Sequence, residues 1–339
     1  MVKQITIEQE TIMNTSLLEQ VRNSGREAIH SRPQVRVRRI VTTTDLSSES
    51  RAGTDYAMLL AKKFGASVVL LHVIEPLPNF GGMEAVALLP TPSEMSKQAR
   101  TRLKKMAERE RSDGLRLSAS VRTGKAFHGI IAAAAECRAD LIVMATHGYT
   151  GFDHALLGST AERVVRHAPC SVLIVPAHFN ARATGGSSVK IARLLVPLDF
   201  SNPSKTALPW AARFAESFDA ETVLFNVTEI FPIDRVMGRE MTNHAITPLM
   251  EEARVALERM ANNLSTATGV KASASVSNGV PHKEICRVAH ESGTDLIVLT
   301  THGYSGLKHS WLGSTAERVV RRADCPVLVV RDARKPHAA

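Results

Sequence analysis

Aromatic residues are scarce in this chain, at 4% of 339 residues, while hydrophobic residues reach 44%. The core is therefore expected to be aliphatic. No run approaches the ~20 apolar residues that span a bilayer, so a membrane-spanning helix is not expected. The N-terminus carries Glu8, Glu10 and Glu19 and has no apolar h-region, which argues against a signal peptide. The four cysteines (Cys137, Cys170, Cys286, Cys325) form no CxxC pair. Their usage suits small buried residues in a reducing cytoplasm better than a disulfide frame. There is no Walker A sequence and no GxGxxG after the first strand, so P-loop NTPase and dinucleotide-enzyme readings fail. No Cys/His cluster has metal-ligand spacing, so the metal ligands stay unknown. No nucleophile–base pair can be identified, so no catalytic residue is assigned.

Acidic charge is also in deficit. The net charge is +9, and it is uneven: residues 36–178 hold 19 Lys/Arg against 13 Asp/Glu, whereas residues 179–339 hold 19 against 16. Such an excess favours anionic partners. The run from Arg100 to Arg111 reads as the solvated side of a helix. No zinc-finger, RRM or helix-turn-helix signature accompanies it, so nucleic acid ranks last among the partners considered.

What the chain does have is a duplication. Gly158 to Arg166 recurs unchanged at Gly313 to Arg321, 155 residues later. Thr146-His147-Gly148-Tyr149 and Asp140-Leu141-Ile142-Val143 recur at the same offset, as Thr301-His302-Gly303-Tyr304 and Asp295-Leu296-Ile297-Val298. A period this long means two domains and not a solenoid. The expected organisation is an N-terminal arm (1–35), domain 1 (36–178), a linker (179–189), domain 2 (190–332) and a tail (333–339). The arm reads either as a helix, from the spacing of Ile12, Leu17, Leu18 and Val21, or as a partly disordered segment.

Each copy alternates strand and helix in the same order. In the first, strands are expected near Val37–Thr43, Ala66–Ile74, Leu115–Val121, Asp140–Ala145 and Ser171–Pro176. Ser47 or Ser48 is expected to cap the first helix. In the second, strands fall near Ile191–Pro197, Glu221–Val227, Lys271–Val276, Asp295–Thr300 and Pro326–Arg331. Apolar runs without strict alternation predict strands buried on both faces of a parallel sheet. Intervening helices predict right-handed crossovers and two doubly wound, Rossmann-like α/β domains in tandem.

Ligands of such sheets sit outside the carboxyl ends of the strands, where strand order reverses. The first strand ends in Thr43-Thr44-Asp45 in one copy and Pro197-Leu198-Asp199 in the other. The fourth ends at Ala145 and Thr300, followed by Gly148 and Gly303. Gly158-Ser159-Thr160 and Gly313-Ser314-Thr315 then open a helix. A glycine-opened helix start has free N–H groups and a positive dipole end, which suits a polyphosphate. His147, His302, His154 and His309 lie in the same turns, as phosphate donors or as solvent-facing turn residues.

These residues resemble the universal stress protein family, whose signature is Gly-x2-Gly-x9-Gly-Ser/Thr after the fourth strand, with an acidic residue ending the first. The resemblance covers about residues 36–178 and 190–332. It implies five-stranded parallel sheets in the order 3-2-1-4-5. It also implies that the fifth strands pair, as in a dimer fused into one chain, and leaves further homodimerisation open. It assigns ATP, with Mg²⁺, as the ligand. By the resemblance Asp45 and Asp199 contact the nucleoside, with Thr44 and Pro197 as further binding residues beside them. The backbone of Val73 and Val227 reads the adenine edge. Gly148, Gly158, Ser159 and Thr160 hold phosphates, as do Gly303, Gly313, Ser314 and Thr315. The signature's first Gly is Ala145 in one copy and Thr300 in the other, and the branched Thr crowds the ribose position. The expectation is a cytoplasmic, nucleotide-dependent module that shows a different surface to an unidentified protein partner when bound, with the Pro76–Pro92 loop as its lid. A ligand-free interaction protein and a slow ATPase are the alternatives.

Overall fold

The computed structural model describes residues 35–76, 91–111, 114–146, 157–179, 190–228, 239–301 and 313–331. The N-terminal arm, the linker, the C-terminal tail, most of the expected lid, Gly148, Gly303 and the four turn histidines lie outside the described residues. The chain divides into two compact bodies. One comprises Arg36–Lys190 and the chain from Val320 on; the other contains Ile191–Val319.

The first body begins with β1 (Arg39–Thr43), α1 (Arg51–Phe64), β2 (Ser67–Ile74), α2 (Pro92–Arg111) and β3 (Leu117–Thr123). It continues with α3 (Ala126–Glu136), β4 (Leu141–Ala145), α4 (Ser159–His167) and β5 (Ser171–Val175). Strands β4 and β5 are buried along their whole length, as strands covered on both faces must be. The parallel order is β3-β2-β1-β4-β5, so the order reverses between β1 and β4. Thr91 and Glu94 form a capping box at the start of α2, with Thr91 N donating to Glu94 Oε2 at 2.8 Å and Glu94 N to Thr91 Oγ1 at 3.2 Å. Gly65 ends α1 in the left-handed conformation at φ 66°.

The second body contains β6 (Arg193–Pro197), α5 (Asn202–Lys205), α6 (Ala207–Phe218), β7 (Glu221–Thr228) and α7 (Arg239–Thr268). It also holds β8 (Ala272–Asn278), α8 (Pro281–Glu291), β9 (Leu296–Thr300) and the start of α9 (Ser314–Arg322). Its strands pair in parallel as β8-β7-β6-β9. Helix α6 corresponds to α1, and the short α5 stands ahead of it, where the first copy has only a turn, parted from α6 by a break at Thr206. Pro209 supplies the reason: it has no N–H for the carbonyl of Lys205, and its ring collides with that carbonyl, where the break falls.

The last strand, β10 (Val327–Val330), belongs to the first body. It runs antiparallel to β5, with Val327 opposite Ile174 and Val329 opposite Val172. The pairing of the two fifth strands is thus present. Arg331 closes the pair, its N–H reaching Ser171 Oγ at 3.2 Å and its guanidinium the carbonyl of Arg166 at 3.2 Å. Glu162 accepts from Arg321 at 2.9 Å and from Arg166 at 2.8 Å. Part of the repeated nonapeptide therefore serves this seam. Among the described residues, no helix is long and apolar enough to cross a membrane.

Candidate functional site

The carboxyl ends of β1 and β4 define a crevice in the first body. Thr44 N donates to the carbonyl of Leu71 at 2.9 Å, the last bond of the β1–β2 ladder. Strand β2 runs on to Ile74, so the N–H and C=O of Val73 point the same way as the Leu71 carbonyl, past the end of β1. The same step occurs in the second body, where Leu198 N donates to Phe225 O at 2.7 Å and Val227 lies beyond it. In both copies the side chain before that valine reaches the carbonyl that ends the first strand. His72 Nδ1 lies 2.8 Å from Thr44 O, and Asn226 Nδ2 donates to Leu198 O at 2.7 Å.

The turn after the first strand is built identically twice. Asp45 Oδ1 accepts from Ser47 N at 3.0 Å and Ser47 Oγ at 2.5 Å. Asp199 Oδ1 accepts from Ser201 N at 3.1 Å and Ser201 Oγ at 2.5 Å. The residue between each pair is bulky and left-handed: Leu46 at φ 70° and Phe200 at φ 63°. Such a conformation costs of order 1–3 kcal/mol and persists where its surroundings over-determine it, often at ligand sites. Here the acidic side chain and its serine supply that constraint. The expected cap is displaced as a result. Helix α1 starts at Arg51 behind Ser50, which makes no side-chain cap bond. Ser47 instead accepts from Ser50 N at 3.2 Å within the turn. In the second body Ser201 does cap, accepting from Ser204 N at 3.2 Å at the start of α5. Thr44 is buried and its hydroxyl pairs with that of Ser50 at 2.8 Å, so it braces the turn from within.

The floor and far wall come from β4 and α4. Ala145 is buried at the end of β4. Gly158 N donates to Thr146 O at 2.9 Å, and Gly313 N to Thr301 O at 2.6 Å. Each helix start is thereby pinned to the end of its fourth strand. Gly158 has φ −58°, a backbone any residue adopts, so the lack of a side chain is what distinguishes it. It offers no side-chain cap to α4, and its carbonyl takes Glu162 N at 3.0 Å. The first-turn N–H groups of Ser159 and Thr160 have no acceptor among the described residues. Ser159 and Ser314 are exposed; Thr160 and Thr315 are half-buried. Glu162, the acid of this first turn, is neutralised by Arg166 and Arg321.

Two close contacts that the repeat does not reveal hold the first crevice. A Cβ on Gly53 of α1 would lie 2.6 Å from Ala145 N and 2.8 Å from Met144 C. A Cβ on Gly129 of α3 would lie 2.9 Å from Val73 Cγ2. Both walls of the first site are thus set by glycines that let a helix press on a strand end. The equivalent positions in the second body are Ala207 and Glu284, so comparing the copies hides them. Thr300, half-buried, stands where the first copy has Ala145, and Pro197 ends the strand that matches β1. Among the described residues, no group of three or more His, Cys, Asp or Glu could hold a metal ion. Cys170 is held protonated by burial, its thiol pushed up to about 12.

Comparison with known proteins follows the same division. The universal stress protein family model matches residues 36–176 and 190–331. A universal stress protein of Methanocaldococcus jannaschii is 35% identical over 143 residues, covering 42% of this chain and 84% of its own. One from Mycolicibacterium smegmatis is 26% identical over 301 residues, covering 86% of this chain and 96% of its own. The crystal structure of a universal stress protein from Archaeoglobus fulgidus superposes with a TM-score of 0.64 at 23% identity, covering 88% of this chain and 98% of that one.

Proposed function

The chain belongs to the universal stress protein family, with the stress-response role the family carries, and we propose that within it this protein is an ATP-binding regulatory module rather than a metabolic enzyme. The observation that supports this most is the start of α4, which has no side-chain cap among the described residues and is pinned by Gly158 N to the end of β4. Its first-turn N–H groups and dipole favour an anion at that spot. Ser159 and Thr160 would receive the phosphates, with the Ser159 hydroxyl as an added donor. Asp45, fixed by Ser47, would accept from a ribose hydroxyl. The backbone of Val73 would read the edge of adenine. Mg²⁺ would be carried on the phosphate oxygens. In the second body Gly313, Ser314, Thr315, Asp199 and Val227 would repeat these roles around a narrower ribose position at Thr300. The two turn glycines, Gly148 and Gly303, complete the cradles in this reading.

Nothing in this arrangement positions a water for attack, so binding without efficient turnover is proposed. Occupancy would alter the surface shown to a protein partner in the cytoplasm. The test is direct: heat the purified full-length protein, and identify the released small molecules by mass spectrometry. Adenine nucleotide released from the native protein, and less of it per chain from Gly158→Val, which leaves the second cradle untouched, is the expected result. Protein that neither carries nucleotide nor binds added Mg-ATP in calorimetry would leave the ligand-free interaction protein as the reading.

A further inference from the structure

The pole of the first body opposite the crevice is where strands begin and helices end. Arg36, Arg38 and Arg39 lead into β1, and Arg116 leads into β3. Lys62 and Lys63 end α1, Arg109 and Arg111 end α2, and Arg138 follows α3. Hydrogen bonds tie these segments into one surface. Ser67 N donates to Arg38 O at 2.8 Å, Val68 N to Arg116 O at 2.8 Å, and the Arg116 side chain to Gly65 O at 2.7 Å. Asp140, two residues beyond Arg138, accepts from the backbone N–H of Arg38 and of Arg39, both at 2.8 Å. Against nine basic residues stand Asp140, Glu136 paired with Arg122, Glu108 paired with Lys104, and the buried Glu110.

One explanation is that these cations only complement the negative ends of the helices. The second body removes it. The same pole there carries the same helix ends, yet α6 and α7 have no basic residue in their last turn. Its basic residues are Lys190, Arg193 and Lys271, and the last two both pair with Glu221. Glu216, Asp219, Glu291 and Asp295 add further negative charge. The first pole is therefore a specific feature of one copy and not a consequence of the fold.

We propose that this pole is a sequence-independent docking surface for the phosphodiester backbone of duplex nucleic acid. Seven of the nine residues are arginine, whose planar fork matches phosphate oxygens in bidentate fashion. The guanidinium groups of Arg38, Arg39 and Arg138 are exposed and have no hydrogen-bond acceptor among the described residues. Strands β3-β2-β1-β4 spread the charge over about 14 Å, close to the roughly 12 Å width of a major groove. Val280 in the second body is the one exposed large hydrophobic among the described residues. The pole thus has no aromatic platform for stacking single-stranded bases and no apolar wedge for a lipid surface. Composition alone reads this charge as a solvated face; only the fold gathers it at one end.

The test is fluorescence anisotropy of the full chain with a labelled duplex of mixed sequence. If about five phosphates are neutralised, affinity falls roughly 500-fold between 50 and 200 mM salt. The triple variant Arg38→Gln, Arg39→Gln, Arg138→Gln is expected to bind about a hundredfold more weakly at 100 mM salt, its log–log salt slope flattened by about 2.7. Lys283→Gln, an exposed charge of the second body, leaves both unchanged. No binding by the native protein at 50 mM salt overturns the proposal, as does a triple variant with the native slope. Sedimentation with phosphatidylserine vesicles but not with duplex would assign the pole to a membrane instead and equally overturn it. Nucleotide occupancy of the crevice plays no part in any of these readouts.

Discussion

The two copies use the same turns but press their helices on the sheet differently. In the first, Gly53 and Gly129 remove a Cβ from the two contacts that border the crevice, at Ala145 and at Val73. In the second, Ala207 and Glu284 occupy those positions, Pro209 parts α5 from α6, and Thr300 ends the fourth strand. The elements shared by both copies are the ones that aim polar groups: the Asp–Ser turn with its left-handed residue, and the glycine pinned to the fourth strand. A duplicated domain thus keeps the polar frame of a site while the helix packing around it drifts.

That contrast can be broken by mutation. The largest expected effect is Gly53→Val. The atoms it would meet are backbone and cannot rotate away, so destabilisation of about 3 kcal/mol is expected. Ala207→Gly in the second body should cost only about 1 kcal/mol. Urea denaturation of both variants checks the ratio, and equal losses would mean that α1 is not wedged against β4.

Next in size is nucleotide binding. Gly158→Val is expected to weaken the first site at least about a hundredfold, which is about 2.7 kcal/mol. Gly313→Val should leave that site intact. Calorimetric stoichiometry with Mg-ATP separates the two. A smaller, reciprocal pair probes the strand end. Thr300→Ala should tighten the second site about tenfold and Ala145→Thr should loosen the first by a similar factor, about 1.4 kcal/mol each way. If neither swap moves affinity, the strand end does not face the ribose.

The smallest effect at neutral pH concerns Cys170. Burial raises its thiol from 9.0 to about 12, so the folded state holds that proton more tightly than the unfolded chain. Its contribution is complete below pH 9 and is lost as pH rises toward 12. Alkaline melting curves should flatten over that interval in Cys170→Ala but not in Cys286→Ala of the second body. Resistance of Cys170 to alkylation at pH 8 is the companion observation.

Much of this was readable from residues alone. The strands were placed within two residues because apolar runs bounded by Gly and Asp leave few alternatives. The strand order and the pairing of the fifth strands followed from the family resemblance. Asp45, Asp199, Gly158 and Gly313 stand out in the sequence because both copies keep them. His72, Leu46, Gly53 and Gly129 escaped because the second copy has Asn226, Phe200, Ala207 and Glu284. Repetition filters out whatever belongs to one copy only. The left-handed backbone at Leu46 has no sequence signal at all, since leucine is among the residues least suited to it. The cap expected at Ser47 or Ser48 falls two or three residues short of Ser50 because a serine that closes a turn and one that starts a helix look alike in a string.

The membership of β10 in the first body has a consequence for biosynthesis. The edge of β5 is left open until Val327–Val330 has left the ribosome. At translation rates of roughly 5–20 residues per second, the intervening stretch takes on the order of ten to thirty seconds to appear. For that interval the nascent first half carries an exposed ladder of unsatisfied amides, a target for chaperones. Deletion of β10 would be felt in the half that was made first.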